Sequence, residues 1–158
     1  LLTDKGIDDF MVEIGGEVFA RGKNPEGKMW RVGVIRPTIA DGDAGTIEEI
    51  VQITDVGLAT SGNYRNYRMV DGKRIAHTID PVTGYPVQHT LLSATVMAPD
   101  CMTAEAYATA FMVMGLERSK AFVDSLPGVE ALFLYQYGSD TTRIDYWATP
   151  GMREKMER

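Results

Sequence analysis

Alternation of apolar and polar positions dominates the first half of the chain. Trp30, Val32 and Val34 alternate with Arg31 and Gly33, the period-two pattern of a strand with one buried face. Phe10–Ile14 is a short apolar run, Gly15-Gly16 interrupts it, and residues 18–21 resume it. A strand bulge is the expected role of the two glycines, with close backbone approach to a ligand as the other use of such positions. Asn24-Pro25-Glu26-Gly27 is a turn, so the stretch predicts a meander of antiparallel strands. Residues 39–46 form a polar loop. Asp41 and Asp43 there suggest a metal loop, but the other ligands of a calcium-binding loop are absent, and solvated turn residues are expected instead. Residues 50–60 predict one or two more strands, and Ser61-Gly62-Asn63-Tyr64 a turn-like break. Tyr67–Val70 and residues 74–78 predict a hairpin around Asp71-Gly72, a pair that favours a tight primed turn.

The period changes in the second half. Leu91–Ala98 (LLSATVMA) is a continuous apolar run that predicts a buried strand. Residues 103–115 predict the strongest helix and 117–125 a second. Residues 131–136 and 143–147 predict a final strand pair, and from Pro150 onward the chain reads as a short charged helix or a frayed end. Strands, then helices, then strands predict an α+β fold, with helices packed on a largely antiparallel sheet.

Composition narrows the function classes. A length of 158 residues suits one domain, and 44% hydrophobic with 24% charged residues is globular, not disordered. The net charge of −6 disfavours a nucleic-acid role, because an acidic surface repels phosphate backbones. It leaves room for a nucleotide ligand, which needs only a local site. Cys101 is the sole cysteine, so neither an internal disulfide nor a cysteine-based zinc site can form. No apolar run approaches the ~20 residues of a membrane-spanning helix. Residues 1–6 read as the last turn of a helix, with Lys5 near its end and Gly6 as the stop. The expectation from that start is a chain with further residues upstream, where targeting signals would lie.

Two stretches carry candidate chemistry. The helix at 103–115 is apolar nearly all round, as a buried helix would be, except for Glu105 and Thr109. Four residues apart, these two share one face. A carboxylate and a hydroxyl are hard oxygen donors that suit Mg²⁺. The same residues also fit simpler roles: Glu105 in a first turn favoured by the helix dipole, and Thr109 bonding back to a carbonyl one turn earlier. The second stretch is His77-Thr78-Ile79-Asp80-Pro81-Val82-Thr83-Gly84-Tyr85-Pro86. Asp-Pro and Thr-Gly-Tyr-Pro impose tight bends, and a histidine beside a rigid loop is placed for proton transfer or for a structural bond. Asp80 either orients that histidine or bonds the loop backbone.

Ser61-Gly62-x-Tyr64, a short hairpin, His77-x-Ile79-Asp80-Pro81-x-Thr83-Gly84-x-Pro86 and the later Ala-Glu-Ala-Tyr-Ala-Thr-Ala resemble, in order and spacing, the signature of the ApbE family. The likeness extends to Val-Glu-Ile-Gly-Gly-Glu-Val-Phe-Ala-Arg-Gly at 12–22, to Lys23-Asn24-Pro25 and to Trp30-Arg31-Val32-Gly33, and so covers residues 6–151. The resemblance implies a T-fold-like α+β architecture, with residues 1–158 as the C-terminal part of a single domain whose N-terminal half is absent. It implies a Mg²⁺-dependent FAD:protein FMN transferase that moves FMN from FAD to a threonine hydroxyl of a target flavoprotein and releases AMP. By the same resemblance Glu105 and Thr109 are metal ligands, with Ala108 adjoining that site. Ile79 contacts FAD, with Thr78 and Asp80 beside it, and His77 activates the acceptor hydroxyl. Where the family usually has Asp, this chain has Glu105, which is one methylene longer. The alternatives that share the site are an FAD pyrophosphatase, yielding FMN and AMP, and a non-catalytic FAD-binding protein. The resemblance also implies a lipoprotein on the periplasmic side of the inner membrane, with membrane contact only through a lipid anchor.

Overall fold

A computed structural model describes residues 1–37, 46–63, 67–70, 73–138 and 143–157. The sequence-predicted features at Asp41, Asp43, Tyr64 and Asp71-Gly72 lie outside the described residues.

The strands are β1 (Phe10–Ile14), β2 (Glu17–Arg21), β3 (Trp30–Ile35), β4 (Ile47–Ile53), β5 (Val56–Gly62), β6 (Tyr67–Val70), β7 (Lys73–Ala76), β8 (Leu91–Ala98), β9 (Glu130–Gln136) and β10 (Ile144–Ala148). The helices are α1 (Cys101–Met114), α2 (Leu116–Val123) and α3 (Pro150–Lys155), after a short 3-10 turn at Thr3–Lys5. Six strands form one sheet in the order β1-β2-β5-β8-β9-β10, and every pairing in it is antiparallel. The fold is the expected α+β arrangement with a largely antiparallel sheet. β3 and β4 form a separate two-stranded ribbon, as do β6 and β7.

Local chemistry explains the boundaries. Ile14 pairs with Glu17, so Gly15 and Gly16 are a two-residue hairpin turn, not a bulge. Their φ angles of 71° and 111° are those a primed turn demands and a side chain resists. Asn24 builds the next turn, its Oδ1 accepting from the N–H groups of Glu26 and Lys28 at 2.9 and 3.0 Å. Residues 50–60 resolve into two strands, separated at Thr54-Asp55, where Asp55 takes a φ of 56°. β5 then runs on through Ser61 and Gly62, where the sequence predicted a break.

The main sheet is covered on both faces, which is why all eight residues of β8 are buried. One core joins Ala59, Ala94, Val96 and Ala98 of the sheet to Ala104, Ala108, Phe111 and Met112 of α1. The other joins Leu58, Met97, Leu132 and Leu134 to Val34, Val51 and Ile53 of the β3–β4 ribbon. Helices, sheet and ribbon thus make three layers. Alternation in β5 assigns faces: Ala59 looks to α1 and Leu58 to the ribbon, so Ser61 falls on the α1 side.

Helix α1 begins two residues before its predicted start. Asp100 caps it, one carboxylate oxygen accepting from the Thr103 N–H at 2.8 Å and the other from the Thr103 hydroxyl at 2.9 Å. These bonds hold the Asp100 carboxyl below its ordinary pKa. Gly57 of β5 lies directly under this helix start, and a Cβ there would collide with the backbone of Asp100 and Cys101. α1 is not buried all round as predicted: Ala104, Ala108, Phe111 and Met112 face the core, while Met102, Ala106 and Thr109 are exposed.

Candidate functional site

β5 and α1 together bring three oxygens into contact. The Thr109 hydroxyl donates to Glu105 Oε1 at 3.0 Å, and the Ser61 hydroxyl reaches the same oxygen at 3.4 Å. The Ser61 and Thr109 hydroxyl oxygens lie 3.1 Å apart. Both simpler roles for the pair give way to this geometry. The helix starts at Cys101, so Glu105 stands beyond the first turn and no acidic residue occupies that turn. Thr109 spends its proton on a carboxylate and not on a backbone carbonyl.

Among the described residues no ion pair involves Glu105, so the two hydroxyls are the partners seen for its charge. Nor do those residues contain a cluster of three or more His, Cys, Asp or Glu side chains, the donor set of a zinc-type centre. One carboxylate with two hydroxyls is an all-oxygen donor set. It fits a hard cation that keeps several waters and shares phosphate oxygens, the habit of Mg²⁺. Ala108 precedes Thr109 on α1, with its methyl fully buried in the helix–sheet core.

The loop after β7 is tied to the same end of β5. Two residues beyond Ser61, Asn63 donates its N–H to the Leu92 carbonyl at 2.9 Å, and its Oδ1 accepts from the Thr78 hydroxyl at 2.6 Å. Val87 N–H closes the loop onto the Thr78 carbonyl at 3.0 Å, and Ile79 bridges to Pro86. Asp80 works on the loop backbone: its Oδ1 accepts from Val82 N–H at 2.8 Å, its carbonyl from Gly84 N–H at 2.8 Å, and its own N–H donates to the Tyr85 carbonyl at 2.9 Å. This bonding makes the loop a rigid ring that presents Ile79, Val82 and Tyr85 to solvent. His77 stands exposed between the end of β7 and Thr78.

In the sequence Glu105 and Thr109 stand out by their spacing, whereas Ser61 reads as a turn residue and as part of the family signature with no ligand role, and Asn63 only as part of that turn. The available signal was the continued alternation Gly57, Ala59, Ser61 on one face, which extends β5 by two residues.

An antiparallel α+β protein, with an oxygen cluster set between a central strand and its covering helix beside a rigid Asp-Pro-x-Thr-Gly loop, is the class that fold and site define. Within that class, the chain belongs to the ApbE family, whose model matches residues 1–133. It is 39% identical over 153 residues to an FAD:protein FMN transferase of Klebsiella pneumoniae, covering 97% of this chain and 42% of that protein. The flavin transferase ApbE from Vibrio cholerae superposes with a TM-score of 0.80 at 34% identity, over 98% of this chain and 46% of the other. The apo flavinyl transferase ApbE of Pseudomonas stutzeri gives a TM-score of 0.78 at 34% identity, over 98% and 45% of the two chains. The chain therefore spans less than half the length of these relatives.

Proposed function

We propose that this chain forms the part of a Mg²⁺-dependent FAD:protein FMN transferase that holds the metal and activates the acceptor, corresponding to the C-terminal part of the family's domain. The observation that carries this reading is the Ser61–Glu105–Thr109 oxygen cluster tied through Asn63 to the His77 loop, in a member of the ApbE family. Glu105 and Thr109, with Ser61, would hold Mg²⁺. Bound there, the ion would neutralise charge developing on the FAD pyrophosphate.

The chain's own residues account for the remaining chemistry. His77 takes the proton from the hydroxyl of a threonine on the target flavoprotein. The freed oxygen attacks the phosphorus on the FMN side of the pyrophosphate, the bond to the AMP phosphate breaks, and AMP leaves. Ile79, with Thr78 and Asp80, would line the flavin nucleotide beside that proton acceptor. The rigid bonding of the loop supports this role, because a group that must meet a reacting atom gains from being held in place. We further propose, from the sequence resemblance alone, a site of action on the periplasmic side of the inner membrane, with a lipid anchor.

The test is to incubate the full-length protein with FAD, Mg²⁺ and a flavoprotein subunit bearing an acceptor threonine, and to read covalent flavin by in-gel fluorescence. Labelling that chelator abolishes, and that His77→Ala and Thr109→Ala each reduce by ~10²-fold or more, is the expected result. Free FMN and AMP without labelling would instead assign a pyrophosphatase, and bound FAD without turnover a carrier.

A further inference from the structure

The C-terminal end of α1 needs partners for carbonyls that have no helical donor. Phe111 offers its carbonyl to Gly115 N–H at 2.9 Å, and the buried Ser119 hydroxyl donates to the Gly115 carbonyl at 2.6 Å, with the Phe111 carbonyl farther off at 3.2 Å. The Met112 carbonyl is met from outside the helix, by Nε2 of His89 at 2.8 Å. A carbonyl only accepts, so Nε2 carries the proton. Nδ1 is then the bare nitrogen, and it is buried with no hydrogen-bond partner among the described residues. The ring also lies on Gly115, where a Cβ would stand 3.1 Å from His89 Cδ2 and 3.3 Å from Cγ. Ring and helix end meet with no side chain between them.

His89 lies two residues beyond Val87, whose N–H closes the loop onto Thr78. Each stem of the loop therefore carries a side-chain anchor. Thr78 ties the first stem to Asn63 at the end of β5. His89 ties the second to α1, the helix that carries Glu105 two turns before Met112 and Thr109 three residues before it.

We infer that His89 is a positioning residue, which sets the His77 loop against α1 by holding the Met112 carbonyl through Nε2–H. The inference rests on the proposed transfer reaction for its effect on rate, and on geometry alone for its effect on the loop. A displacement of reacting groups by ~1 Å costs up to about a hundredfold in rate, so the anchor has leverage on catalysis without touching substrate.

The test compares His89→Gln, whose amide can still donate to Met112, with His89→Asn, which is too short to reach it. Both are made in the full-length protein. The readouts are kcat and KM for FAD in the labelling assay, and hydrogen–deuterium exchange at the Asp80, Gly84 and Val87 amides. His89→Asn should lower kcat by about ten- to a hundredfold and speed exchange at those amides, and His89→Gln should restore most of both. Wild-type kcat and protection in His89→Asn would overturn the inference, as would equal impairment in the two variants. If the wild type transfers no flavin, the reaction reading fails and the exchange data alone still decide the anchor. A third measurement needs no variant: ¹⁵N NMR of the wild-type ring should find a proton on Nε2, and an Nε2 without one would overturn the proposal.

Discussion

Ser61, Glu105 and Thr109 act as one group, because each hydroxyl is within reach of the same carboxylate oxygen. On the proposed Mg²⁺ site, removing one donor should show in metal affinity before it shows in folding. Ser61→Ala is expected to raise the Mg²⁺ concentration for half-maximal labelling several-fold while leaving the melting temperature nearly unchanged. Glu105→Gln keeps the acceptor oxygen and removes the charge. It should keep the fold, as judged by circular dichroism, and abolish Mg²⁺-dependent labelling. Two of these three residues were legible from sequence, because positions four apart on a helix share a face whatever the helix packs on. Ser61 was not. Its meeting with Glu105 depends on β5 lying under α1, and nothing within either segment announces that pairing.

At the scale of elements, the start of α1 is fixed from two sides. Asp100 caps it, and Gly57 leaves room for the backbone at Asp100-Cys101 to pass over β5. Gly57→Ala should destabilise the protein by about 1–3 kcal/mol in urea unfolding, since the new methyl meets backbone that cannot rotate away. Asp100→Ala should lower the melting temperature at neutral pH. The Asp100 pKa is depressed in the fold, so the cap's contribution is fully present above the unfolded carboxyl's pKa and is lost as pH falls through the folded value. Melting curves of wild type and Asp100→Ala should therefore converge in acid. Element types were readable because the apolar period of the sequence matches the structure that forms. Boundaries were less so. β4 and β5 part at Asp55, a residue with positive φ that is not glycine, and such a break has no strong sequence mark. The predicted break at Ser61-Gly62 failed because a Ser-Gly pair is permitted in a strand when a neighbouring strand pairs with it, as Ala94 and Ser93 do here.

The whole molecule is three layers, of which the sequence showed two. Alternation in β3 announces one buried face without saying what covers it, and only tertiary packing puts the ribbon on the far side of the sheet. The C-terminal tail holds that ribbon. Arg31 of β3 grips Glu157 with two nitrogens, Gln52 of β4 adds a bond of 3.0 Å to the same carboxylate, and Glu157 N–H donates to the Ile50 carbonyl at 2.9 Å. Arg31→Ala should loosen the ribbon, which faster amide exchange in β3 and β4 would reveal. On the opposite layer, Phe111 is fully buried and packs edge-on against Phe133, with ring centroids 5.2 Å apart. Phe111→Ala should cost about 3–5 kcal/mol in the same unfolding experiment. The complete burial of β8 has a kinetic consequence. Its partners are β5, separated from it by the whole β6–β7 hairpin and the rigid loop, and β9, separated by two helices. Both loops must close before β8 is paired, which places folding in the slow range of milliseconds to seconds. During that interval the chain exposes an unpaired apolar strand, LLSATVMA, able to pair with another copy of itself. Refolding yield should therefore fall as protein concentration rises, and that loss is set by the order of the strands, not by the strength of the finished fold.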